Sequence, residues 1–229
     1  MSRTTLRLGG AFGLSHVVVV IAGFALTGPT DTTPRAPIED VLAFYSGDRL
    51  MRAFTGGYVE LLGYLLFVPF VLCLVQHLRR HEGPDGIAAL SALGLGAVYL
   101  AAVIGTGFGA GAAAMWTGTH AEAPAGVVAL NSLRSFSYAA SLAAFGAFLV
   151  AVAVSALVGR SLPKWLSISA LVIGATLVAG IARFVDGWAD IVALLGLAWI
   201  IAVSIWGLRG RQVGGSPTRV SELAAPSRV

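Results

Sequence analysis

The sequence predicts an all-α, polytopic transmembrane helical bundle with about six spans, and three observations carry that prediction. Of its 229 residues 57% are hydrophobic and only 11% charged, with a mean hydropathy of +0.84, whereas a soluble domain carries about 25% charged residues. The apolar residues come in long unbroken runs rather than in the period-2 or period-3.6 patterns of half-buried soluble elements. Several runs reach the roughly 20 residues that a helix needs to cross a hydrocarbon core of about 30 Å. Lipid offers no hydrogen-bond partner to an open amide, so each such run is expected to be helical.

The first span, 8–27, follows Arg3 and Arg7. A basic start and an apolar centre also suit a secretory signal peptide, but no convincing small-x-small cleavage site follows Leu26, so a retained span is expected. His16 lies near its middle, beside Ser15. Residues 28–53 form the longest connection, opening with Pro29, Pro34 and Pro37. Ile38, Val41, Leu42 and Tyr45 then recur at helical spacing, with Glu39 and Asp40 in the first turn after a proline suited to the first helical position. A short amphipathic helix follows from this pattern, packed over the mouth of the bundle in preference to lying on the membrane surface.

The second span, 54–77, holds Glu60 about six residues, or roughly 9 Å of helix, inside its outer end. The third, 87–113, is rich in glycine. Gly105 and Gly109, and again Gly107 and Gly111, are four apart and fall on one helical face, which predicts close approach by another helix. A dinucleotide loop through Gly107, Gly109 and Ala112 is the weaker reading, because such a loop follows a strand and opens a soluble helix. The fourth span, 135–158, starts just after Arg134. The fifth, 165–183, and the sixth, 189–208, are near the lower limit for spanning, and residues 210–229 read as a disordered tail.

Basic residues are retained on the cytoplasmic side. With the N-terminus inside, Arg3, Arg7, Arg79, Arg80, Arg160, Lys164, Arg209, Arg211, Arg219 and Arg228 fall in the cytoplasm, against Arg35, Arg49, Arg52, Arg134 and Arg183 outside. Both termini are therefore expected in the cytoplasm. Fourteen arginines against one lysine, with abundant alanine and glycine, suggest a GC-rich bacterial source, so the location expected is a bacterial inner membrane with the lipid bilayer as the solvent.

The net charge of +4 is scattered over loops and tail, without the basic patch that nucleic-acid binding needs. The single Cys73 excludes an intrachain disulfide and a multi-cysteine metal cluster. No phosphate-loop, zinc-protease or nucleophile-elbow motif occurs, and the only lysine, Lys164, lies in a loop where it cannot hold retinal within the bundle. His16 could relay protons or bind haem, but His77, His81 and His120 fall at or beyond helix ends, so a facing axial ligand is missing and a hydrogen-bonded structural role is preferred. His77 and His81 lie beside Arg79 and Arg80 and read as a cationic helix end rather than a metal site. No cofactor and no metal are expected.

Ionisable groups at membrane depth are the best functional pointers. Glu60, Arg134, Arg183, Asp186 and Asp190 share the predicted outer side and define a candidate polar vestibule in which Glu60 pairs with Arg134 or Arg183. The plainer reading is one structural pair among ordinary interface residues.

Arg49-Leu50 leading into Glu60-Leu61-Leu62, the span closing in His77-Leu78-Arg79-Arg80, and Leu162-Pro163-Lys164-Trp165-Leu166 followed by Gly174 resemble the bacterial family called domain of unknown function 4386. The resemblance covers nearly the whole chain before the tail. It implies a multi-span membrane protein and brings no activity or catalytic residue. Three functional classes follow in order of preference. They are a non-enzymatic structural or partner-binding membrane component, a small-solute or ion transporter using Glu60 or His16, and an intramembrane enzyme. A homo-oligomer is compatible with all three.

Overall fold

A computed structural model of the chain describes residues 3–28, 36–83, 85–119, 124–180 and 188–210. The disordered-tail expectation falls on 211–229, outside the described residues. Those described are helical almost throughout. Helix α1 spans Arg3–Thr27, α2 Ile38–Phe44, α3 Gly47–Glu82 and α4 Ile87–Leu100. A π-helical segment, Ala101–Phe108, joins α4 to α5, Gly109–Gly118, in one continuous rod. Then follow α6, Pro124–Gly159, α7, Lys164–Gly180, and α8, Trp188–Leu208.

Among the described residues five helices are long and apolar enough to cross a membrane: α1, α3, the α4–α5 rod, α6 and α8. The 17 residues of α7 make a shorter apolar helix, about 26 Å at 1.5 Å per residue. The chain thus reads as a multi-pass membrane protein. Its lipid-like exterior agrees, since Val18, Leu65, Val98, Val172 and Leu194 are large apolar side chains left exposed along helix after helix.

The helices form a ring in the order α1, α3, α4–α5, α6, α7, α8, closed by α8 against α1, with α3 also meeting α6 across the middle. Aromatic residues fill that middle. Phe67 is fully buried, with the Phe148 ring 5.7 Å and the Tyr99 ring 5.4 Å away. Because lipid tails are as apolar as leucine, helices in a membrane gain little from hiding apolar surface and associate through close packing. Gly146 and Gly174 supply it between α6 and α7. A Cβ on Gly174 would sit 2.5 Å from the Gly146 carbonyl oxygen, and one on Gly146 would sit 2.7 Å from that of Gly174. Gly23 and Gly56 do the same between α1 and α3.

The glycines singled out by spacing are placed differently. Gly105 and Gly109 share a face of the α4–α5 rod, but it is exposed, and no other atom lies within 4 Å of a Cβ built on either. Gly107 meets only a carbonyl of its own segment, Ala102, at 3.4 Å, and Gly111 lies 3.4 Å from the Arg134 side chain. Spacing identifies a common face without saying whether that face looks inward.

Both ends of the described chain lie at one end of the bundle, the lower end: Gly207 of α8 is 3.1 Å from the Leu6 carbonyl by its Cβ position, and Gly210 approaches Arg7. There α3 turns into α4 through Gly83 and Gly86, at φ 114° and 47°, where a side chain would be strained. Glu82 closes that turn. Its carboxylate accepts from the amides of Ala88 and Ala89 at 2.8 and 2.9 Å and from the Ser155 hydroxyl at 2.6 Å, capping α4 and fastening it to α6.

At the opposite, upper end the helices run further than the uncharged stretches. Helix α3 begins at Gly47 rather than 54, the rod ends at Gly118 rather than 113, and α6 begins at Pro124 rather than 135. Charged residues mark where a span meets water, yet the backbone ladder continues past Asp48, Arg49, Arg52 and Arg134 because those side chains find solvent or partners. The short helix α2 lies on the extensions, burying Val41, Phe44 and Tyr45 with Ala53, Ala114 and Val127 as a small second core.

Candidate functional site

The extensions change the depth of the two charges that matter most. Glu60 lies about 13 residues, roughly 20 Å, below the start of α3, and Arg134 about 10 residues, roughly 15 Å, below the start of α6. Arg134 is therefore an interior helical residue rather than a cap. Their opposite charges attract. Glu60 is partly buried, and its Oε1 lies 3.4 Å from the Thr27 hydroxyl, which is also 3.1 Å from the Gly23 carbonyl. Gly23 is needed at this crossing, because a Cβ there would collide with the Glu60 side chain and the Gly56 carbonyl.

One helical turn below each charge stands a tyrosine, Tyr64 beneath Glu60 and Tyr138 beneath Arg134. Tyr64 is buried, shares a hydrogen bond with Tyr99 of α4, and packs edge-on against Phe108 at 5.8 Å. Phe108 ends the π-helical segment, a wide turn that is common at functional positions. The Tyr138 hydroxyl donates to Asp190 at 2.8 Å, tying α6 to α8.

Above, Arg134 reaches α2. Its guanidinium carbon stands 5.8 Å from the centre of the Phe44 ring, and it hydrogen-bonds Tyr45. Burial pushes the Tyr45 hydroxyl above its ordinary pKa, against the pull of the Arg134 charge. The neutral phenol donates to the Asn131 side chain at 3.0 Å. Helices α1, α3, α4, α6 and α8 and the α2 cap thus meet in one polar cluster.

His16 lies deeper and is completely buried, its ring 5.0 Å from Phe67 and 5.7 Å from Tyr64. Its Nδ1 is 2.8 Å from the Gly63 carbonyl, which can only accept, so Nδ1 carries the proton and Nε2 presents a lone pair. That Nε2 has no hydrogen-bond partner among the described residues. At the lower end His77 Nε2 donates to the Ser161 carbonyl at 3.1 Å and His81 Nδ1 to the His77 carbonyl at 2.9 Å. Among the described residues no group of three or more His, Cys, Asp or Glu could hold a metal ion.

Of the proposed vestibule residues, Glu60 and Arg134 attract each other by charge, and Asp190 is joined to α6 through Tyr138. Arg183 and Asp186 lie outside the described residues, as does His120. Sequence reasoning missed Thr27, Tyr64, Tyr99 and Tyr138. The available signal was spacing, since Tyr64 follows Glu60 and Tyr138 follows Arg134 by four. Two cavities, one at the lower end of α3 and a small one between α1, α3 and α8, are lined by neither Glu60 nor His16.

No family model, curated protein or solved structure matches the chain.

Proposed function

We propose that this chain is a non-enzymatic structural or partner-binding component of a bacterial inner membrane. In this reading it has six spans, α7 being the fifth, with the lower end and both termini in the cytoplasm and the α2 cap outside. The basic residues of the short loops support that orientation, and the sequence features above support membership of the family they resemble. One observation carries the functional reading: the intramembrane carboxylate of Glu60 lies 3.4 Å from the Thr27 hydroxyl of a second helix and is attracted by the charge of Arg134 on a third. A charge used to hold helices in register is satisfied by the fold itself, whereas a transport site must leave it to solvent or solute.

The test is solute and proton flux into proteoliposomes carrying the native chain or Glu60→Gln. Equal, background flux from both, together with a lower unfolding temperature for the variant, is the expected result. Flux through the native chain that Glu60→Gln abolishes would replace this reading with transport. Transport is the second reading because of a specific feature, the unpartnered Nε2 of His16 below Glu60 and Tyr64.

A further inference from the structure

The two arginines that end α3 are treated differently from Arg134. Arg79 and Arg80 are exposed, and neither makes a hydrogen bond or an ion pair with another described residue. The nearby carboxylate of Glu82 does not serve them, since Ala88, Ala89 and Ser155 take it up on the α4 and α6 side. Both arginines line a cleft of about 540 Å³, with Gln76 beside them. Further along the same helix the lining turns apolar, with Leu72 and Cys73 from α3 and Leu93 from α4. About seven residues separate Cys73 from Arg80, so the basic rim stands roughly 10 Å from the apolar floor. Leu72 is 52% exposed, one of the large apolar side chains left open on the bundle surface.

We infer that this cleft binds one anionic glycerophospholipid, its phosphate between Arg79 and Arg80 and an acyl chain along Leu72, Cys73 and Leu93. Guanidinium groups match phosphate oxygens in geometry and charge, and none of the described residues lining the cleft is acidic. The order of the lining, cationic at the rim and apolar within, is the order of groups along a phospholipid. A free phosphate ion would use the rim and leave the floor empty. A volume of this size falls in the range of small-molecule sites, about 300–1,000 Å³. Clustered arginines at the end of a span are also where anionic lipids concentrate.

The chain carries its own probe, because Cys73 is its only cysteine and lines the cleft. The full-length protein in neutral detergent is titrated with short-chain phosphatidylglycerol, short-chain phosphatidylcholine or inorganic phosphate, and the rate of maleimide addition to Cys73 is followed. Phosphatidylglycerol is expected to slow the reaction about tenfold at ten times its dissociation constant, following 1 + [L]/Kd. Phosphatidylcholine and phosphate leave the rate unchanged. Arg79→Gln/Arg80→Gln removes the protection, and Arg49→Gln/Arg52→Gln, at the upper end, keeps it. Equal protection by phosphatidylcholine overturns the anionic selectivity, protection by inorganic phosphate assigns the cleft to a free anion, and no protection by any of the three removes the site. The comparison of ligands uses the native chain alone, so it stands even where the double variant misfolds.

Discussion

Replacing Gly174 with alanine separates packing read from the structure from packing read from spacing. The new methyl would stand 2.5 Å from the Gly146 carbonyl oxygen and 3.0 Å from both Leu149 Cβ and Val150 Cγ2. Backbone cannot swing aside as a side chain can, so α7 must move off α6 by roughly 0.5–1 Å, a gap that forfeits a quarter to a half of each dispersion contact it opens. Overpacking of this kind costs about 1–3 kcal/mol, and the better helix propensity of alanine returns up to about 1 kcal/mol. The net expectation is a loss of about 1–2 kcal/mol. Gly105→Ala is the matched control, with nothing within 4 Å of its new methyl, and it should be neutral or stabilising by up to about 1 kcal/mol. Thermal unfolding in detergent reads the difference, at about 2–4 °C per kcal/mol for a chain of this size. The buried Trp199, whose indole donates to the Leu166 carbonyl of α7 at 2.8 Å, reports the α7–α8 contact by its fluorescence. A Gly105→Ala variant that unfolds at a lower temperature than Gly174→Ala would refute the reasoning, because it would place the critical close approach on the exposed face.

Two further outcomes follow from the polar contacts. In a double-mutant cycle of Glu60→Gln and Arg134→Gln, unfolding free energies should show a coupling of about 1–2 kcal/mol; additivity within about 0.3 kcal/mol would mean that the two charges do not interact. Glu82→Ala strips two amides and a hydroxyl of one acceptor and should cost about 2 kcal/mol, with Glu82→Gln costing less because one acceptor oxygen remains. A Glu82→Ala protein unfolding at the native temperature would show that the turn is capped by other means.

The helical membrane architecture was legible because long uncharged runs state it directly. The ends of the helices were not, since a run broken by Arg134 or by Asp48 and Arg49 looks finished although the backbone goes on. Glu60 stood out as a carboxylate in an apolar stretch, and Arg134 and Asp190 were named with it. The tyrosines between them were not, because a phenol counts as apolar in any hydropathy sum while its hydroxyl does the connecting. Thr27 was invisible for a related reason. Its hydroxyl matters only because Gly23 and Gly56 bring α1 close enough to α3, and that proximity is a property of the pair. The π-helical turn at Ala101–Phe108 left no mark in composition, yet it ends in the Phe108 that packs on Tyr64.

The two ends of the bundle differ in how their cations are used, and that difference locates where the molecule is closed and where it is open. At the upper end Arg134 stands over Phe44 and hydrogen-bonds Tyr45, joining α2 to α6, and its charge attracts Glu60 of α3. Each contact fixes the geometry of the others, so the cap resists rearrangement as a unit. At the lower end the Glu82 carboxylate is consumed by a helix cap, and Arg79 and Arg80 are left facing a cleft. Exchanging the roles would change both properties. An acid introduced beside Arg79, by Gln76→Glu, places a counter-charge within the cleft lining and should abolish protection of Cys73 by phosphatidylglycerol without lowering the unfolding temperature. An unchanged protection would show that the arginines do not hold the headgroup.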